Sequence, residues 1–241
     1  MPLARSRLLP KLPWKAMYFD GVDDYVVIPA GFLPVNAITV EALIMGMSIK
    51  NGYPKWINAG PNSVTGIYGV GFDDGGDRIS LVFTFDGRGS LFYNGEYRNV
   101  LGKWVYIANT WNGTHACGYF NGTKQKEADI TGSPDWADRE LVLGANHSYV
   151  ENSNVQIAYV RIYNRALSEN EIKWNYYHPD DPIRDGLVLW LHYDSIDEEN
   201  NIWRDKTANG NDGTIYGATP VEFTKPPIRR LMPTRTQSPV R

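Results

Sequence analysis

The stretch KWVYIANTWNGTHACGYFNGTKQKE, residues 103–127, decides the fold class. Two Asn-Gly pairs, Asn112-Gly113 and Asn121-Gly122, divide it into three short runs rich in β-branched and aromatic residues. Asn and Gly tolerate the positive φ of a type I′ turn, whose twist matches that of the strands it joins. The pattern therefore predicts a three-stranded meander. Working outward, strand and turn alternate at the same short spacing. Tyr25–Ile28 follows the turn-prone Asp20-Gly21, residues 38–44 form the next run, and Ile79–Phe85 ends at Asp86-Gly87. Leu141–Leu143, residues 155–163 and residues 187–193 supply further strands, and 206–217 is rich in turn residues. Many short strands bounded by turn residues identify an all-β sandwich or barrel. One helix interrupts them. Ser168 and Glu171 form a capping box with Leu167 and Ile172 at the staple positions, so the helix spans Glu169–Tyr177 and stops at His178-Pro179.

Composition narrows the class. The chain has 241 residues, 42% of them apolar, with 8 Trp, 15 Tyr and 8 Phe, which is ample for a packed core and excludes global disorder. No apolar run approaches the roughly 18 residues of a membrane span, and the first residues lack the apolar segment of a secretion signal. Cys117 is the single cysteine, which rules out an internal disulfide framework and a multi-cysteine zinc site. The formal net charge of −3 hides an asymmetry. Residues 1–15 and 224–241 carry basic side chains, including Arg5, Arg7, Arg229, Arg230 and Arg235, and no acid. These segments also hold seven of the fifteen prolines. They read as extended arms of residues 1–15 and 224–241 flanking an acidic body. Such arms suit contact with a neighbouring subunit's acidic surface; binding nucleic acid is the less favoured use, and solubilising tails are the bland alternative.

Four segments carry a family resemblance. AMYFDGVDDYVVI (16–28), WVYIANTWNG…GYFNGTK (104–124), LVLGAN (141–146) and VRIYNRALSENEI (160–172) together resemble laminin-G-like, concanavalin A-like jelly-roll modules. The resemblance implies a sandwich of two antiparallel sheets with one short helix. It also exposes an odd order. A segment like residues 186–219 (GLVLWLHYDS…ANGNDGTIYGAT) normally precedes the FDGVDDYV strand in this family, whereas here it follows the helix. The expectation is one circularly permuted sandwich over residues 16–223, in which 186–223 supplies the family's usual first strands; the alternative is that this segment completes a neighbour's sandwich. In the permuted form the two termini leave from one spot.

Glycosidases of this fold pair carboxylates on one strand. That arrangement is missing, and the nearest pair, Glu127 and Asp129, reads as solvent-facing, so no catalytic residue is assigned and the protein is expected not to be an enzyme. His115, His147, His178 and His192 show no metal-ligand spacing and are expected in surface or capping roles. Asp20, Asp23 and Asp24 offer hard oxygen ligands, and the resemblance implies a structural calcium ion; tight-turn chemistry explains the same residues. The family's acid before the VRIYN strand is replaced by Ala158 and Tyr159. Glycan binding would use aromatic faces and polar groups on a loop rim. The residues of that kind are Trp56, Asp74, Trp136, His147, Tyr149 and Asn152, for which packing under loops is the alternative. The reading is a non-enzymatic structural or binding protein of a virion or other extracellular assembly, homo-oligomeric and glycan-binding. A monomeric carbohydrate-binding module is the alternative, and a glycoside hydrolase ranks third.

Overall fold

The computed structural model describes residues 14–48, 55–59, 69–72, 79–85, 88–94, 101–132, 134, 136, 138–146, 148–149 and 152–223. The most apolar strands make its centre. β3 (Ile38–Gly46) and β12 (Asn154–Tyr163) pair antiparallel from Val155↔Gly46 to Tyr163↔Thr39. β8 (Val105–Trp111) takes the free edge of β3, and β9 (His115–Phe120) and β10 (Thr123–Asp129) extend outward as the meander that the Asn-Gly pairs predict. Asn121 and Gly122 have φ of 47° and 75°, as a type I′ turn requires. The first Asn-Gly pair behaves differently. The Asn112 side-chain oxygen accepts from the Thr114 and His115 N–H groups at 3.1 and 2.8 Å, an Asx turn that closes a three-residue loop.

The other edge of β12 receives two strands end to end. β1 (Trp14–Asp20) pairs with its first half, Met17 opposite Ile157, and β13 (Leu187–Asp197) with its second half, Leu191 opposite Val160. The hydrogen-bonded path then runs through β14 (Ile202–Asp205) and β15 (Gly213–Tyr216) to β2 (Tyr25–Ile28), β11 (Leu141–Leu143) and β4 (Lys55–Asn58). β5 (Gly69–Phe72), β6 (Ile79–Phe85) and β7 (Arg88–Asn94) continue it. A register shift between Leu191 and Ile196 marks the stretch of β13 where the path leaves one layer for the other. β16 (Thr219–Phe223) returns to β1 and sets Phe223 opposite Trp14. Residues 187–223 thus pair with β12, β2 and β1 of their own chain, and the first and last described residues are neighbours. The expected N-terminal arm is shorter than predicted, because Trp14 and Lys15 already belong to β1. Arg5, Arg7, Arg229, Arg230 and Arg235 lie outside the described residues.

Period-two alternation builds the core. Val26 and Ile28 of β2 and Leu141 and Leu143 of β11 meet Val40 and Ile44 of β3, Ile107 of β8 and Val160 of β12 in one buried cluster. Leu189 and Leu191 join it, while Leu187 is part-buried on the opposite face. Two layers packed face to face in this way define a sandwich.

The opposite face of β3, β8 and β12 is also covered. Leu43, Tyr106, Tyr159 and Tyr163 pack there with Leu167 and Ile172, the staple residues of helix α1 (Glu169–Tyr177). The capping box forms as the sequence predicts, with Ser168 and Glu171 each accepting from the other's N–H. Beneath the helix Arg161 of β12 lies directly opposite Glu41 of β3, at 2.6 Å, and both side chains are fully buried. Glu41 also accepts from the Tyr106 hydroxyl at 2.6 Å and from the Asn175 amide of α1 at 3.0 Å, so the ion pair anchors the helix to the sheet.

Candidate functional site

The outer face of the second layer carries a row of aromatic rings. Val26 and Ile28 turn inward, so alternation sends Tyr25 outward, and its register partner on β15 is Tyr216. The two rings stack with centroids 4.7 Å apart. Tyr149, from the loop after β11, stacks on Tyr25 at 4.5 Å and makes Tyr25 the middle of a three-ring row. Tyr149 and Tyr216, at the two ends, are 38% and 45% exposed.

The loop holding Tyr149 is built for that placement. Tyr149 adopts φ of 57°, a left-handed conformation costing a bulky residue roughly 1–2 kcal/mol. Its N–H donates to the Asn146 carbonyl at 2.9 Å and its hydroxyl to Glu140 at 2.9 Å. The hydrogen bond to the Glu140 carboxylate, with burial adding, pushes the Tyr149 phenol up to about 12. Strain of this kind persists where surroundings hold it, and it gathers at functional positions.

An acidic turn flanks the row. The Asn152 amide donates to the Val22 carbonyl, tying the Tyr149 loop to the β1–β2 turn, while its own side-chain oxygen is buried without a partner. In that turn Asp20 accepts from the Val22 N–H at 2.6 Å and Asp24 from the Asp20 N–H at 2.8 Å. One carboxylate oxygen from each of Asp20, Asp23 and Asp24 lies within 4.8 Å of the others. Burial raises the Asp24 carboxyl pKa, and the charges of Asp20 and Asp23 add to the effect. The β15–β16 turn closes against it. Gly217 has φ of 74°, and a Cβ there would stand 2.2 Å from the Asp24 Oδ1, so only glycine admits this approach.

Of the predicted ligand-binding residues, Tyr149 and Asn152 fall at this site. Trp56 and Trp136 do not: they are 1% and 0% exposed and belong to the core, where Trp136 donates its indole N–H to the Pro34 carbonyl at 2.6 Å. The turn residues around both predict loop aromatics, but their rings pack inward with the core. Asp74 and His147 lie outside the described residues. Tyr25 and Tyr216 were missed, although a lone outward tyrosine in YVVI and in GTIY signals an aromatic on the solvent face. His192 is also not superficial. It is 2% exposed, its Nδ1 lies 2.5 Å from Asp194, and burial lowers its pKa. Asn209, Asn211 and Asp212 serve turn chemistry, with both amides donating to the Val188 carbonyl and Asp212 accepting from the Asp205 N–H.

A family model described as the concanavalin A-like lectin/glucanases superfamily matches residues 20–173, and the chain belongs to that superfamily. No curated protein matches the sequence significantly. Among solved structures, a candidate carbohydrate-binding protein from Bacteroides ovatus superimposes with a TM-score of 0.65 at 18% identity over 88% of this chain. The match spans 61% of that protein's length. A heptameric SAP-like pentraxin from Limulus polyphemus gives 0.54 at 13% identity, covering 70% of this chain and 84% of the pentraxin. A sialidase from Trypanosoma rangeli gives 0.53 at 18% identity, covering 69% of this chain and 28% of the enzyme. These likenesses establish the lectin-like jelly-roll fold. Among the described residues, no helix is long and apolar enough to cross a membrane.

Proposed function

We propose that this protein is a carbohydrate-binding module that holds a glycan against the Tyr149, Tyr25 and Tyr216 row and does not cleave it. The observation that carries the reading is the row itself: register pairing fixes two rings, a strained loop residue supplies the third, and both end rings remain exposed. Sugar rings present apolar C–H faces that stack on aromatic planes, with hydrogen bonds from a polar rim giving orientation. The Asp20–Asp24 turn supplies that rim, and Asn152 ties it to the Tyr149 loop. Membership of a lectin superfamily and likeness to a candidate carbohydrate-binding protein support the reading. The carboxylates Glu127 and Asp129 lie on β10, one end of the strand path, whereas β15 and β2 lie in its middle.

Asp20, Asp23 and Asp24 fit a structural calcium ion, because their clustered oxygens are hard donors; burial raises the Asp24 pKa, and the neighbouring charges of Asp20 and Asp23 add to it. An ion there would stiffen the turn that meets Asn152 and Gly217.

A glycan array probed with the wild-type protein and with a Tyr149→Ala/Tyr216→Ala variant tests the reading. The wild type is expected to bind a restricted set of glycans that the variant loses. Mass spectrometry of the bound glycans is expected to show unchanged masses; hydrolysis products would make the protein an enzyme, and an empty array would remove the binding reading.

A further inference from the structure

The edge hairpin carries a group of side chains that glycan binding leaves unused. β9 and β10 pair so that Glu127 lies opposite Cys117 and Asp129 opposite His115. Residues two apart on a strand share a face, so all four stand on one side of the hairpin. His115 Nδ1 is 2.7 Å from an Asp129 oxygen, and His115 Nε2 is 3.7 Å from a Glu127 oxygen. One ligand atom each of His115, Cys117 and Glu127 lies within 4.8 Å of the other two. We propose that His115, Cys117 and Glu127 form a binding site for a divalent ion of the zinc class, with Asp129 as the positioning partner of His115.

The donor set argues for this class. A nitrogen, a sulfur and a carboxylate oxygen suit zinc or cobalt, whereas calcium selects oxygen alone. The Asp129 contact matters most. A neutral imidazole that donates its Nδ1–H to a carboxylate keeps its Nε2 lone pair for a metal, which is how outer carboxylates orient zinc-bound histidines. Here Nε2 is the nitrogen that faces Glu127. Zinc bonds of about 2.0–2.3 Å in a tetrahedron put ligand atoms roughly 3.3–3.8 Å apart. The His115–Glu127 distance already falls in that range, and the remaining closure is about 1 Å by side chains that are partly exposed. Lys124 now neutralises Glu127 at 2.7 Å, and an incoming ion would replace it. Binding releases the Cys117 proton to solvent, and three protein ligands leave the fourth position for water.

Cobalt(II) titrated into the full chain tests the proposal. The expected result is one equivalent bound with a sulfur-to-cobalt charge-transfer band that Cys117→Ser abolishes. His115→Ala and Glu127→Gln should weaken binding at least tenfold, and Asp129→Asn by about 10–100-fold, the usual effect of removing an outer partner. Lys124→Ala should tighten it by removing the competing cation. Because Cys117 is the only cysteine, a second readout needs no variant: zinc should slow its alkylation. Absence of the band at stoichiometric cobalt, affinity unchanged in His115→Ala and Glu127→Gln, or alkylation indifferent to zinc would overturn the site. Glycan binding plays no part in these readouts.

Discussion

Replacing Arg161 by Met should cost far more stability than replacing Arg161 and Glu41 together. The pair is 2.6 Å apart with both side chains fully buried, and it lies between β3 and β12 at the centre of the sheet. At an effective dielectric near 20 two charges about 4 Å apart attract by about 4 kcal/mol, against a desolvation cost of several kcal/mol per ion, so the pair as a whole is close to neutral. Removing one partner leaves a buried charge, which costs about 3–5 kcal/mol. Arg161→Met strands Glu41, for which the Tyr106 hydroxyl and the Asn175 amide compensate only in part. Arg161→Met and Glu41→Leu alone should therefore each lose about 3–5 kcal/mol in urea unfolding, and the double variant, which leaves only the neutral Tyr106 and Asn175 donors without their acceptor, should lose less than either single variant. Single variants that lose less than about 1 kcal/mol, or a double variant as unstable as the sum of the singles, would refute this account of the sheet centre.

Phe223 and Trp14 are antiparallel partners, so a short linker can join them in a chain that starts at residue 186, the strand order that the proposed permutation would make the family's usual one. The rearranged protein should melt cooperatively near the wild-type temperature, and a molten product would count against the permuted reading. Two hydrogen bonds from the Arg165 guanidinium, at 2.7 and 3.0 Å, lower the Glu171 carboxyl from 4.5 to about 2, so its contribution is complete above about pH 4.5 and fades as pH falls toward 2. Glu171→Gln should cost about 1–2 kcal/mol at neutral pH and flatten the acid limb of the melting profile; an unchanged limb would contradict the assignment. For Asp24 the sign reverses: a raised carboxyl pKa means stability declines as pH rises through its titration. Calcium at ten times its Kd should restore about 1.4 kcal/mol at pH 7 in the wild type and nothing in Asp24→Asn, as read from melting temperatures with and without chelator.

Local signals were legible where a residue type answers one physical need. Ser168 and Glu171 set the helix start because few pairs satisfy its orphan N–H groups reciprocally. Asn121-Gly122 marks its turn because both residues must take positive φ. Asn112-Gly113 deceived in detail, since the Asn112 side chain captured the backbone donors and enlarged the loop. Strands β14 and β16 escaped notice because each is short and polar on one side, and pairing with distant strands, not propensity, holds them. Glu41 in ITVEALIMG and Arg161 in NVQIAYVRIY could have been found as lone opposite charges within apolar strands. Of the proposed site, Tyr149 and Asn152 were legible as loop residues. The site itself was not, because it needs the register that places Tyr216 of a late strand opposite Tyr25 of an early one. The metal-ligating hairpin was hidden similarly: His115 and Glu127 are twelve residues apart and meet only across β9 and β10.

The central claim is that exposed tyrosine rings, held in place by the fold, bind sugar. Calorimetric titration of one array-selected glycan into wild type, Tyr149→Phe and Tyr149→Ala tests it most directly. Phe keeps the stacking plane and loses only the hydroxyl bond to Glu140, so its affinity should stay within about threefold of wild type, whereas Ala should lose at least about tenfold, the equivalent of 1.4 kcal/mol. Equal affinity in all three proteins, with melting temperatures unchanged, would contradict the account.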